Sequence, residues 1–354
     1  MKTSFKKSVS IVMLLLVSLW MTGCDKPVKE EAATSSVPEN KLKVYTSFYP
    51  MYDFAKKVGG DKIEVTNLVP AGMEPHDWEP TTKDIENLEH ADMLIYNGAG
   101  MEHWVEDVVG ALSNKDLVLV EASKGIELME GHHHDHDDHN HEGEADHDHD
   151  DHNHEGEADH DHDDHNHEGE AAHNHDDHNH GHYDPHVWTS IKNAKKEMET
   201  IKEALVARDP ENATFYEENY RMYAKQFDEL DKTFEEKISA LPNKNIVVSH
   251  EAFGYLCKDY GLNQMGIEGL SPESEPNPTR MAAVVDFVKE HNIKTIFFEE
   301  LVSPKVAETI AKETGAVTDM LNPIEGLSQE QLDEGMDYLK IQEKNLIAIE
   351  KALK

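Results

Sequence analysis

Between Gly131 and His182 the chain carries 19 histidines and 19 aspartates or glutamates, with no lysine or arginine. A 13-residue unit, HDHDDHNHEGEAD, begins at His134 and recurs at His147 and at His160, the third copy ending in Ala172. A degenerate fourth copy follows from His173. Ordering a residue costs ~1–2 kcal/mol of backbone entropy, and this stretch has almost no apolar surface to offset it. The sequence therefore predicts a disordered insertion at 131–182 in the absence of metal, with ordered folds on either side. Acids alone would make a solvated linker, whereas neutral imidazole and carboxylate together are ligands for zinc-like divalent cations. The histidines thus mark an auxiliary metal-binding segment: His132, His133, His134, His136, His139, His141, His147, His149, His152, His154, His160, His162, His165, His167, His173, His175, His178, His180 and His182.

The 354 residues carry a formal charge of −39, and the sequence outside the tract is acidic too. Such a balance disfavours nucleic acid and polybasic contact with a membrane surface, and suits a protein that handles cations. Without a leader and the tract, roughly 280 residues remain, enough for two medium lobes.

At the start, Lys2, Lys6 and Lys7 precede an apolar run from Ile11 to Met21. That run is too short and wrongly flanked for a membrane-spanning helix, and reads as a secretory signal over residues 1–23. Thr22-Gly23-Cys24 follows the pattern of a bacterial lipoprotein cleavage site, although Met21 stands where leucine is usual. Cleavage would leave Cys24 as a lipidated first residue, tethering an extracytoplasmic protein to the outer face of a bacterial cell membrane. Residues 24–41, rich in Lys, Glu, Ser and Pro, form a flexible tether. Only Cys257 would then remain, so no intrachain disulfide is available.

From Leu42 onward, short apolar runs alternate with helical patterns. Strands are expected near 42–47, 63–69, 91–97 and 117–121, with helices near 53–58, 82–90 and 102–112. After the tract come a helix over 190–208 and a longer one from Pro210 to Leu241. On the latter, Tyr216, Tyr220, Tyr223, Phe227, Leu230, Phe234 and Ile238 share one face, the stripe of a core-packed helix. At 1.5 Å per residue it would run ~48 Å, a stiff connector between lobes. The pattern then repeats: strands near 245–249, 264–267, 293–298 and 317–320, helices near 253–260, 279–291 and 304–314, and one final helix over 329–353. Strands alternating with helices predict parallel sheets. The expected fold class is α/β: two βα lobes, 42–208 and 242–354, joined by a rigid helix over 209–241.

Six histidines lie outside the tract. His90, His103 and His291 fall in or at the ends of helices and suit surface or capping roles. His76 and His250 sit in loops at the carboxyl ends of strands, and His186 in a loop beside Trp188; ligands of open α/β sheets gather beyond those strand ends. Convergence of the three with a carboxylate would make a tetrahedral nitrogen/oxygen shell suited to Zn²⁺ in the cleft between lobes. Glu325 follows the last short strand and is the leading candidate; Glu299, Glu300 or water are the alternatives.

The segments Pro75-His76-Asp77-Trp78-Glu79-Pro80, Asp184-Pro185-His186-Val187-Trp188, Ser249-His250-Glu251-Ala252-Phe253-Gly254-Tyr255 and Asn322-Pro323-Ile324-Glu325 together resemble four signature regions of a known family. It comprises the zinc-binding ABC-transporter solute-binding lipoproteins of the ZnuA/AdcA type, cluster A-I of bacterial solute-binding protein family 9. The resemblance implies two α/β lobes on one rigid helix, His76, His186 and His250 as metal ligands, and Zn²⁺ as a transported ligand rather than a catalytic cofactor. It further implies delivery to an ABC-transporter membrane permease, and a monomer is expected. Manganese-type relatives place a carboxylate at the third position, where this chain has His250. A nitrogen-rich shell favours Zn²⁺ over the harder Mn²⁺, though Cu²⁺ would bind an isolated site at least as well.

No enzyme is expected. A zinc hydrolase is the main rival, with Glu251 as general base, but His250-Glu251 lacks the second histidine of a His-Glu-x-x-His helix. A zinc-storing surface lipoprotein or adhesin is the other alternative. It predicts many weak sites and no dominant tight one.

Overall fold

The computed structural model describes residues 41–131, 183–272 and 276–354. Residues 1–40, with the expected leader, Cys24 and all of the expected tether but Lys41, and the histidines of the insertion lie outside the described residues.

The first lobe runs β1 (Leu42–Thr46), α1 (Tyr49–Gly59), β2 (Ile63–Asn67), α2 (Thr82–Leu88), β3 (Met93–Tyr96), α3 (Val105–Ala111) and β4 (Val118–Glu121). Its four strands are all parallel in the order β2-β1-β3-β4, with Val44 paired to both Val65 and Met93. The inner strand β3 buries Met93, Leu94 and Ile95 completely, as a strand covered on both faces must. Helix α1 begins earlier than the expected 53, at Tyr49, because Pro50 sits at the first turn, where its fixed φ and missing N–H cost nothing. Helix α2 opens on a capping box: Thr81 accepts from Asp84 N while the Asp84 side chain accepts from Thr81 N.

After a 3₁₀ turn at Val187–Thr189 come α4 (Ile191–Arg208), a second 3₁₀ turn at Pro210–Asn212, and α5 (Ala213–Ser239). At 27 residues α5 spans about 40 Å, shorter than the helix expected from Pro210. Tyr216, Phe227, Leu230, Phe234 and Ile238 are buried along it, while Tyr220 and Tyr223 sit half-buried at the edge of the same stripe.

The second lobe repeats the first: β5 (Asn245–Val248), α6 (Gly254–Tyr260), β6 (Asn263–Gly266), α7 (Pro278–Glu290), β7 (Thr295–Phe298), α8 (Lys305–Thr314) and β8 (Val317–Met320), again parallel, in the order β6-β5-β7-β8. The expected single C-terminal helix is instead two, α9 (Gln329–Asp333) and α10 (Tyr338–Leu353). Gly335 adopts φ 71° between them, and Asp337 caps α10 by accepting from Lys340 N. The break lets Asp337 meet Lys57 of α1 at 3.2 Å, alongside the Lys57–Asp53 pair at 2.7 Å.

One apolar core runs from Val44 and Phe54 through Ile201 and Phe227 to Val248, Leu256 and Ile349, so the lobes share a continuous interior with α5. Phe227 stacks on Tyr338 of α10 at 5.3 Å and meets Phe54 of α1 edge-on at 6.0 Å. Alternation along β5 sends Val247 to a smaller core with Val284, Ile296 and Ile310 on the other face of the sheet. Continuity of the larger core leaves little room for independent lobe motion.

Candidate metal centre

Both sheets direct their strand ends at one place. His76 lies in the loop after β2, shaped by Met73 N donating to Pro70 O and Trp78 N donating to Pro75 O. Behind it Trp78 packs edge-on to Trp104 at 5.6 Å. His186 precedes the first 3₁₀ turn, His250 follows β5, and Glu325 follows β8. The structure brings these four together, each offering one ligand atom, with all four atoms within 4.8 Å of one another. His186 Nε2 lies 3.2 Å from both His76 Nε2 and His250 Nε2. Glu325 Oε1 lies 3.3 Å from His76 Nε2, 3.2 Å from His186 Nε2 and 3.1 Å from His250 Nε2.

Those separations have a simple meaning. Five of the six separations among these atoms are 3.1–3.3 Å, and a tetrahedron with such edges has its centre about 2.0 Å from each corner, the bond length zinc makes to imidazole nitrogen and carboxylate oxygen. Four donors at that spacing satisfy a tetrahedral cation completely.

His186 and His250 are each held by the same device. Asp184 Oδ1 accepts from His186 N at 3.0 Å and lies 2.8 Å from its Nδ1. Glu299 Oε1 accepts from His250 N at 3.1 Å and lies 2.8 Å from its Nδ1. A carboxylate on Nδ1 keeps the proton there and leaves the Nε2 lone pair facing the cluster. His76, the most exposed of the four with 10% of its side chain accessible, marks the solvent side.

Charge is distributed accordingly. Burial lowers the pKa of His76, and Glu325 offsets this only in part. Burial also opposes charge on His186, but Asp184 and Glu325 raise its pKa overall. His250 is raised well above the ordinary value by Glu299 and Glu325 despite its burial. Glu325, although buried, is held well below the usual carboxylate range by His250, His186 and His76. The surroundings thus favour positive charge on His186 and His250 and negative charge on Glu325, and disfavour charge on His76.

The loop carrying Glu325 is pinned. Asn322 exchanges backbone hydrogen bonds with the Asn345 side chain, and Trp188 Nε1 donates to Pro323 O at 2.7 Å. Ile324 adopts φ 64°, which costs a branched residue about 1–2 kcal/mol and aims the next side chain into the cleft.

The other candidates go elsewhere. Glu299 serves the far nitrogen of His250, and Glu300 accepts from Gln331 Nε2 at 3.2 Å. Glu251 is paired with Arg280 at 2.7 Å. His103 lies 3.6 Å from Glu79, His291 packs on Phe287, and neither they nor His90 join the cluster. Sequence reasoning missed Asp184 as a partner of His186, although an aspartate two residues before a histidine is a recognisable turn signal.

Fold and site define a protein of two parallel-sheet lobes with a His/Glu group able to hold a metal ion in the cleft. The chain belongs to the family described as zinc-uptake complex component A, periplasmic, whose model matches residues 44–352. It is 40% identical over 350 residues to the high-affinity zinc uptake system protein ZnuA of Bacillus subtilis (strain 168), covering 99% of this chain and 98% of that one. Longer zinc-binding AdcA proteins of Streptococcus pyogenes also match, at 37% identity, and the chain spans 60% of their length. Among solved structures, the Zn(II)-bound ZnuA-like domain of Streptococcus pneumoniae AdcA has a TM-score of 0.68 at 34% identity, covering 88% of this chain and 99% of that one. The laminin-binding protein Lmb of Streptococcus agalactiae, described as a bifunctional protein with adhesin and metal transporting activity, has a TM-score of 0.70 at 30% identity, covering 89% and 100%.

Proposed function

We propose that this chain captures Zn²⁺ outside the cell and delivers it to an ABC-type zinc importer, with His76, His186, His250 and Glu325 as its ligands. The observation that carries this reading is the convergence of three imidazole nitrogens and one carboxylate oxygen within 4.8 Å of one another, with Nδ1 partners on two of the rings. Family membership supplies the transport context. Four protein donors fill a tetrahedral shell and leave no open position for a substrate or activated water, which favours a carrier over a hydrolase. The ion is cargo, not a resident cofactor.

The remaining assignments follow the same reading. The lobes are 42–208 and 242–354 with 209–241 between them; a lipid on Cys24 anchors the mature chain to the outer face of the membrane; and the partner is a membrane permease. The 19 histidines of the insertion hold further, weaker zinc. Likeness to Lmb favours surface adhesion as a second activity of the same fold.

Titration of the full chain with zinc against a chelating indicator tests the proposal. One tight site plus several weak ones is expected, and His186→Ala should abolish the tight one alone. A titration showing only weak sites, unchanged by that substitution, would favour storage instead.

A further inference from the structure

Gly254 and Tyr255 open helix α6, yet they make their contacts with the two backbone segments that flank the insertion. The Tyr255 hydroxyl accepts from Met129 N at 3.0 Å and donates to Asp184 O at 2.8 Å. These partners lie 126 and 71 residues away in sequence, on the chain entering and leaving the insertion. The two segments also join each other, through Asp184 N donating to Met129 O at 2.9 Å and an antiparallel bridge between Glu130 and Tyr183. One buried hydroxyl therefore closes the stem of the insertion onto the helix.

Gly254 serves the same residue differently. A Cβ there would lie 2.5 Å from Asp184 Oδ2, inside any tolerated contact. Its φ is not in the left-handed region, so the glycine is required by the approach of that carboxylate and not by backbone conformation. Asp184 in turn holds both N and Nδ1 of His186.

We propose that Gly254 and Tyr255 form a positioning element of the metal centre, seating Asp184 so that its carboxylate fixes the ring of His186 while Tyr255 ties the insertion's stem to the same point. The proposal rests on His186 being a ligand. It makes the stem of the insertion and the ligand that follows it one mechanical unit, held across from the helix that begins just after His250.

The test is zinc release from the full chain, followed by chelator chase, with cobalt absorption as the readout of coordination geometry. Tyr255→Phe keeps the ring and removes the hydroxyl, and should speed release about tenfold. Gly254→Ala should push the Asp184 carboxylate off His186 and weaken the intense tetrahedral cobalt bands. Asp184→Asn alone should cost about 10–100-fold in affinity, as loss of a partner to a ligating histidine does. Adding Tyr255→Phe to Asp184→Asn should change little further, because both act through one group. A purely structural role would multiply the two effects. Wild-type release and cobalt spectra in both Tyr255→Phe and Gly254→Ala, or full multiplication in the double variant, would overturn the proposal. Failure of the underlying reading is distinct: His186→Ala would then retain the tight site.

Discussion

Glu299→Gln perturbs the centre without touching a ligand. Glu299 accepts from His250 N and lies 2.8 Å from His250 Nδ1. At an effective dielectric of ~20, a unit negative charge about 7 Å from a dication contributes ~5 kcal/mol. The same carboxylate beside the His250 imidazolium of the metal-free centre contributes ~4 kcal/mol, so the two largely cancel. What survives is the electrostatic difference plus control of the ring, since a glutamine amide can donate to Nδ1 and drive the proton to Nε2, where the metal must bind. The expected net loss is about 10–100-fold in zinc affinity. Competition with a chromophoric chelator, wild type against variant, measures it. Affinity within twofold of wild type, at unchanged stoichiometry, would show that Glu299 does not control the His250 ring.

Zinc capture near neutral pH should release protons, because His186 and His250 have raised pKa values and must become neutral to bind. Affinity should therefore rise with pH, about tenfold per unit for each proton displaced; identical calorimetric heats in buffers of different ionisation enthalpy would contradict this. Phe227→Ala, which empties the contact between α1, α5 and α10, should cost about 3–5 kcal/mol in denaturant unfolding; a loss under 1 kcal/mol would show that the shared core is not what joins the lobes. Deleting residues 132–182 should leave one tight zinc site and remove the weak ones, and loss of the tight site would break the assignment. Zinc retention by the insertion itself should fall as pH drops through ~6.5, the range where free imidazole protonates.

Much of this was legible from local signals. The βα alternation predicted two parallel sheets, and histidines beyond strand ends picked out His76 and His250. The choice among carboxylates was not legible. Glu299 follows β7 and Glu325 follows β8, adjacent strands of one sheet, so both reach the same histidine; only the ring nitrogen each faces separates their roles. The division of the last helix was written in Gly335 and Asp337, but the apolar spacing on either side ran through it. Gly254 and Tyr255 stand in the Ser249–Tyr255 signature segment, but their role was not legible, because a hydroxyl contact across 126 residues and a space shaped by a distant carboxylate leave no periodic trace.

The proposed centre holds one zinc ion among four specific atoms. Anomalous diffraction at the zinc edge, from crystals of the full chain loaded with one equivalent of zinc, would locate that ion. The expected result is a single dominant peak about 2.0 Å from Nε2 of His76, His186 and His250 and from a carboxylate oxygen of Glu325. A dominant peak elsewhere, or one bound by fewer than three of these histidines, would contradict it.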